Sequence, residues 1–205
     1  ESLEKAVELS ANNIKGFGFD TSVVIASDVS GSMQKSVSRK SKVLLYDIGL
    51  MMSMMLQSQC QNVVTGIFGN RWLRVPMPKN GILRNVDEFY KREGEVGYAT
   101  NGYLVIQDLI KRKEKTDKVM LFTDAQMWST TGTQNSLEDS WRKYKALAPE
   151  AKLYIFDLAG YGKQPLDIKE KDVYLISGWS DKIFDVLNAL EDRKSAVEMI
   201  QKVVL

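Results

Sequence analysis

The sequence has no histidine and a single cysteine, Cys60. Without an imidazole there is no Ser-His-Asp relay and no Cys-His pair. With one thiol besides, an ordinary zinc site is excluded, and any metal must be held by oxygen. One cysteine also rules out an internal disulfide and suits a reducing, cytoplasmic compartment. Cys60 ends an apolar helical stretch, so it reads as a packed thiol and not as a nucleophile. A charge imbalance is nearly missing as well. Lys and Arg number 28 against 26 Asp and Glu, a formal net charge of +2. That balance gives no large electrostatic footprint for nucleic acid. No apolar run approaches membrane-spanning length, and Glu1-Ser2-Leu3-Glu4-Lys5 does not read as a signal peptide, so no membrane contact is expected. Internal repeats, linkers and low-complexity segments are absent too.

What is present is enough for one α/β domain: 205 residues, 44% of them hydrophobic. Leu3, Ala6, Val7 and Ile14 form a helical stripe within residues 1–15, read as an N-terminal helix that ends a preceding helical region. Gly16-Phe17-Gly18 closes it, and 16–205 form the main domain. Strand one is expected over 22–27, with Val23-Val24-Ile25-Ala26 buried. A helix over 40–59 carries Val43, Leu44, Ile48, Met51, Met52, Met55 and Leu56 around most of its circumference, the mark of a central, buried helix. Its methionines read as core filling. Strand two covers 62–68. Gly69-Asn70 signals a hairpin into a short antiparallel edge strand over 72–76, which Pro76 ends. Helices follow over 86–92 and 101–113, then strand four over 118–123, a helix over 136–148, and strands over 153–158 and 172–176. Helices over 180–190 and on to about 203 complete the chain. Strands alternating with helices mean βαβ units and a mainly parallel sheet.

Chemistry-bearing residues gather at strand ends. Asp28-Val29-Ser30-Gly31-Ser32 directly follows strand one. It offers a carboxylate and two hydroxyls at alternate positions, with Gly31 expected to permit a sharp turn. Hard oxygens of this kind select Mg²⁺ or Mn²⁺. Thr123-Asp124 ends strand four, and Ala99-Thr100-Asn101-Gly102 precedes a helix. In a doubly wound order strands one and four are neighbours at the topological switch point, where open α/β sheets bind ligands. Asp28 and Asp124 would then face one crevice, with Thr100 reaching in from the side. The plainer alternatives are a turn with capping hydroxyls at 28–32, a strand-end carboxylate at Asp124, and a helix N-cap at Thr100.

The pattern Asp28-x-Ser30-x-Ser32, then Thr100, then Asp124 resembles the metal-ion-dependent adhesion site of von Willebrand factor A (VWA) domains. The resemblance implies a Rossmann-like doubly wound sheet of five parallel strands and one antiparallel edge strand, with helices on both faces. It implies Mg²⁺, or Mn²⁺ or Ca²⁺, bound directly by Ser30 and Ser32, by Thr100 in one conformational state, and by Asp28 and Asp124 directly or through water. The cation would keep an open position for a partner's carboxylate or phosphate oxygen. Many VWA domains have glycine after the second aspartate, where this chain has Ala125. The stretches 149–153 and 177–187 are similar to the end of the Ro autoantigen (TROVE) family. That likeness implies a ribonucleoprotein role, with small non-coding RNA bound by the full-length protein.

Trp128, Tyr161 and Trp179 fall on loops at the same end of the sheet. Trp179 can also staple onto Phe184 beside an N-cap at Ser180. Trp128 has no such second role and is the partner-contact candidate. Two rival readings stand beside the binding module: a Ser–Lys hydrolase through Ser32-x-x-Lys35, and a metal-free interaction domain. The run Lys111-Arg112-Lys113-Glu114-Lys115 reads as a solvated helix end. The expectation is a binding module without catalysis.

Overall fold

Val23, Val24, Ile25 and Ala26 are at most 1% exposed. A strand apolar at every position must be covered on both faces, and that requirement organises the fold. The structure, a computed structural model, describes residues 2–125, 136–160, 172–180 and 182–191. In chain order the elements are α1 (Ser2–Ala11), β1 (Ser22–Asp28), a 3₁₀ turn (Gly31–Gln34), α2 (Leu45–Gln59), β2 (Asn62–Phe68), β3 (Trp72–Arg74), α3 (Ile82–Val96) and α4 (Tyr103–Arg112). They continue with β4 (Lys118–Thr123), α5 (Leu137–Leu147), β5 (Lys152–Asp157), β6 (Val173–Ser177) and α6 (Lys182–Glu191).

The strands form one sheet in the order β3-β2-β1-β4-β5-β6. All neighbours pair in parallel except β2 and β3, which are antiparallel. The expected VWA-type α/β architecture is therefore the one observed. Side chains alternate between two cores, as the period of a strand requires. Val23 and Ile25 of β1, Met120 and Phe122 of β4, and Tyr154 and Phe156 of β5 join the core under α1, α2, α3 and α6. Val24 and Ala26, Val119 and Leu121, and Leu153 and Ile155 join the core under α4 and α5.

Several boundaries differ from those read in the sequence. The central helix starts at Leu45, not at 40. Asp47 accepts the Leu44 N–H at its first turn (2.8 Å), and residues 35–45 form a hairpin instead: Val37 N–H donates to the Val43 carbonyl, and Leu45 N–H to that of Lys35. Apolar periodicity cannot reveal this, since Val43 and Leu44 fit either state. α3 is longer than expected because α1 finishes its start. Glu8 accepts the Gly81 N–H and Glu4 the Leu83 N–H, two donors the helix leaves unpaired. Thr100 is not an N-cap. Gly102 takes that position, and the Asn101 and Gly102 carbonyls start α4. Ser136 does cap α5, accepting from Asp139 N–H at 3.0 Å. Trp179 leaves 47% of its surface exposed. The 111–115 run is a helix end, with Arg112 paired to Asp108 and Glu114 to Arg74. Trp128, Tyr161 and the terminal helix expected after α6 lie outside the described residues.

A candidate cation site at the switch point

β1 lies between β2 and β4, so chain connections leave it toward opposite edges and a crevice opens at its carboxyl end. The register pairs Ser27 with Phe122. The next step along both strands brings Asp28 beside Thr123, and Thr123 Oγ1 donates to Asp28 Oδ2 at 2.6 Å. The other Asp28 oxygen accepts the Ser30 N–H at 2.8 Å. Asp28 therefore folds its own loop over itself, an Asx-type turn.

Beyond Ser30 the 3₁₀ turn reverses the chain and pins Met33 fully into the core. That reversal brings Ser30 Oγ and Ser32 Oγ to 3.1 Å from each other. Gly31 does not supply the bend through an unusual conformation. Its φ is not positive, and a Cβ there would meet only the Tyr98 carbonyl at 4.0 Å. The turn needs hydrogen bonds more than it needs glycine.

The third segment is tied to the first by backbone. Gly31 N–H donates to the Tyr98 carbonyl at 3.0 Å, which fixes the loop carrying Thr100, two residues on, at the same rim. Asn70 accepts the Ala99 N–H, and Asn101 N–H donates to the Gly69 carbonyl. This crossing needs glycine at 69, since a Cβ there would lie 2.0 Å from the Gly97 carbonyl oxygen. Thr100 is half-buried and Tyr98 exposed.

Asp28 and Asp124 are both buried, at 1% and 2% exposure. Burial pushes the Asp28 carboxyl up to about 7, against hydrogen bonds from Thr123 and Ser30 that favour its ionised form; the Asp124 charge adds to the rise. Among the described residues no basic side chain offsets this rise. A buried acid pair with nearby hydroxyls has the donor chemistry of a hard divalent cation site. Among the described residues no group of three or more His, Cys, Asp or Glu could hold a metal, so such a site must draw on hydroxyls. Ser30 and Ser32 supply two such hydroxyls beside Asp28.

The sequence reading passed over Thr123 as a site residue. Its hydroxyl joins the two strand ends: besides donating to Asp28 it accepts the Ala125 N–H at 3.2 Å. The signal was there, a threonine directly before the second aspartate at a strand end. Ala125 sits in the left-handed region, φ 56°, where glycine is the usual residue. Lys35, the base required by the hydrolase alternative, is exposed.

A family model described as the Ro60 vWA domain matches residues 22–191. No curated protein matches the chain. Among solved structures, the Ro (RSR) protein of Deinococcus radiodurans is similar at 16% identity and a TM-score of 0.66, over 91% of this chain. This chain spans 37% of that protein's length. An aerotolerance-related membrane protein from Bacteroides fragilis aligns at 12% identity, over 82% of this chain and 96% of its own, with a TM-score of 0.49. The manganese-loaded TRAP protein of Plasmodium vivax aligns at 18% identity, over 83% and 71%, with a TM-score of 0.45. At these identities the likeness is one of fold.

Proposed function

The chain belongs to the Ro60 vWA domain family, and from that premise we propose that it is a divalent-cation-dependent binding module. Asp28, Ser30, Ser32, Thr100 and Asp124 hold Mg²⁺, with Mn²⁺ or Ca²⁺ as substitutes. The observation that carries this reading is the 3.1 Å approach of the Ser30 and Ser32 hydroxyls beside the buried Asp28 carboxylate. When bound, the cation supplies an electron-poor centre with a position open to a partner's carboxylate or phosphate oxygen. The chain's own part is to hold that position in place. Thr123 and the Ser30 N–H orient Asp28, and the Tyr98 carbonyl keeps the Thr100 loop against the Ser30 loop. No helix among the described residues is long and apolar enough to cross a membrane.

In the full-length protein the module takes part in a Ro-like ribonucleoprotein whose other regions contact small non-coding RNA. The fold likeness to the D. radiodurans Ro protein supports that setting. The role is binding, without catalysis. The test is a thermal melt with and without magnesium. At about a hundred times its dissociation constant the ion stabilises by about 2.7 kcal/mol, a rise of roughly 5–10 °C for a domain of this size. EDTA and Asp28→Ala both remove the rise. An unchanged melting temperature at saturating Mg²⁺, Mn²⁺ and Ca²⁺ would sink the reading.

A further inference from the structure

Ser32 is followed within a few residues by the hairpin over 35–45. Its base is ordered. Ser36 bridges to Leu44, Val37 N–H donates to the Val43 carbonyl at 2.9 Å, and Leu45 N–H donates to the Lys35 carbonyl at 3.0 Å. Val37 and Leu44 pack on the core beneath. The tip is a closed turn: Ser41 N–H donates to the Ser38 carbonyl, and Ser41 Oγ accepts the Val43 N–H. It carries Arg39, Lys40 and Lys42, all exposed.

Its local charge sets this arm apart. Residues 29–46 contain Lys35, Arg39, Lys40 and Lys42 and no acidic residue. Taking those four from the chain's 28 basic residues leaves 24 against 26 acidic ones, so the arm accounts for the whole positive balance of the chain. Arg39, Lys40 and Lys42 make no ion pair among the described residues. A hairpin whose backbone is already hydrogen-bonded has met part of the ordering cost that binding an anion would impose.

We propose that this arm binds an acidic protein segment, in which one carboxylate completes the shell of the cation at Ser30 and Ser32 while neighbouring acidic residues engage Arg39, Lys40 and Lys42. The first half rests on the cation reading above; the second does not. A protein segment fits better than a nucleic-acid strand for two reasons. A polynucleotide needs a continuous basic track, and outside the arm acidic residues outnumber basic ones. Single strands also use successive exposed aromatics as stacking platforms. The arm holds none, since Tyr46, the sole aromatic in 29–46, is buried.

The probes are fluorescein-labelled hexaglutamate and a labelled thymidine hexanucleotide, read by fluorescence anisotropy against the 205-residue chain in magnesium and in EDTA. The variant is Arg39→Gln/Lys40→Gln/Lys42→Gln, whose changes are all exposed and leave the melting temperature unchanged. Hexaglutamate is expected to bind the wild type, with about tenfold weaker binding to the variant and a salt dependence that the variant flattens. If EDTA changes nothing while the variant still loses the peptide, the arm stands and the cation reading falls. Should EDTA abolish binding while the variant binds like wild type, the arm proposal falls and the cation reading stands. Absence of peptide binding, or tighter binding of the hexanucleotide through the same three residues, overturns the proposal.

Discussion

At the scale of single residues, Asp28 shows how a site can work against the fold that carries it. Its carboxyl lies buried beside Asp124 and rises to about 7. The sign follows from linkage. A raised folded value means the native state binds the extra proton between roughly pH 4, the unfolded value, and pH 7. The metal-free chain therefore loses stability as pH rises through that window. Asp28→Asn removes the ionisation cost and keeps the acceptor for the Ser30 N–H, while its amide can donate to Thr123 Oγ1. Without metal at about pH 8, Asp28→Asn is expected to melt higher than wild type by at least about 1 kcal/mol of stability. The gain fades toward about pH 5 and no magnesium response remains; a less stable variant at pH 8 would refute this account. Ala125 offers a second case. Its left-handed φ of 56° costs an alanine about 1–2 kcal/mol, whereas glycine costs entropy of about 0.5–1 kcal/mol in the unfolded chain. Ala125→Gly should raise stability by up to about 1 kcal/mol in a denaturant titration, and a clear loss would show that the buried methyl outweighs the strain. The contrast with Gly31 is instructive. The glycine at 31 is not conformationally required, while the strained position at 125 holds an alanine. Sequence shows which groups are available, and φ depends on hydrogen bonds made to segments far along the chain.

Among the elements, strands were more legible than helix ends. β2 and β4 fall on the residues read from the sequence, because continuous apolar runs bounded by polar residues have little other place to go. Helix starts were displaced wherever a distant segment supplied the cap. Glu4 and Glu8 of α1 complete α3, and nothing in the sequence near residue 81 announces them. The start of β1 is secured in the same long-range way. Ser22 donates both its N–H and its hydroxyl to Asp117, at 2.7 Å each, just ahead of β4. Partial burial alone would raise the Asp117 carboxyl, but the Ser22 donors and the Lys118 charge outweigh it and hold it below the usual carboxylate range. A depressed acid contributes stability that is full above the unfolded value near pH 4 and disappears as pH falls through the folded one. Asp117→Asn should therefore cost about 1 kcal/mol at neutral pH and flatten the acid limb of the stability profile below about pH 4. An acid limb that matches wild type would remove Asp117 from this role.

For the whole molecule, the arrangement divides the sheet into a working rim and a structural one. At the carboxyl ends, among the described residues, a Thr123–Asp28 hydrogen bond and a Gly31–Tyr98 hydrogen bond join the segments of the candidate site. At the opposite ends Asp117 clamps Ser22, Lys118 pairs with Glu191, and Gln61 N–H donates to the Phe17 carbonyl. Closely tied regions open only with global unfolding, whereas loosely tied ones open locally and respond to ligands. A cation held jointly by Ser30, Ser32, Thr100 and Asp124 would act as a further tie. Hydrogen exchange followed by mass spectrometry should then show one linked response to magnesium: slower exchange in 28–34, 97–102 and 123–125 together, with 17–23, 60–62 and 116–119 unchanged. Asp28→Asn should show none of it. Slowing confined to 28–34 would mean that the other two segments do not share the ion. Uniform slowing over the whole chain would mean that the ion acts on global stability and not as a bridge between loops, and in either case the open position would lack the rigid frame that binding a partner's oxygen requires.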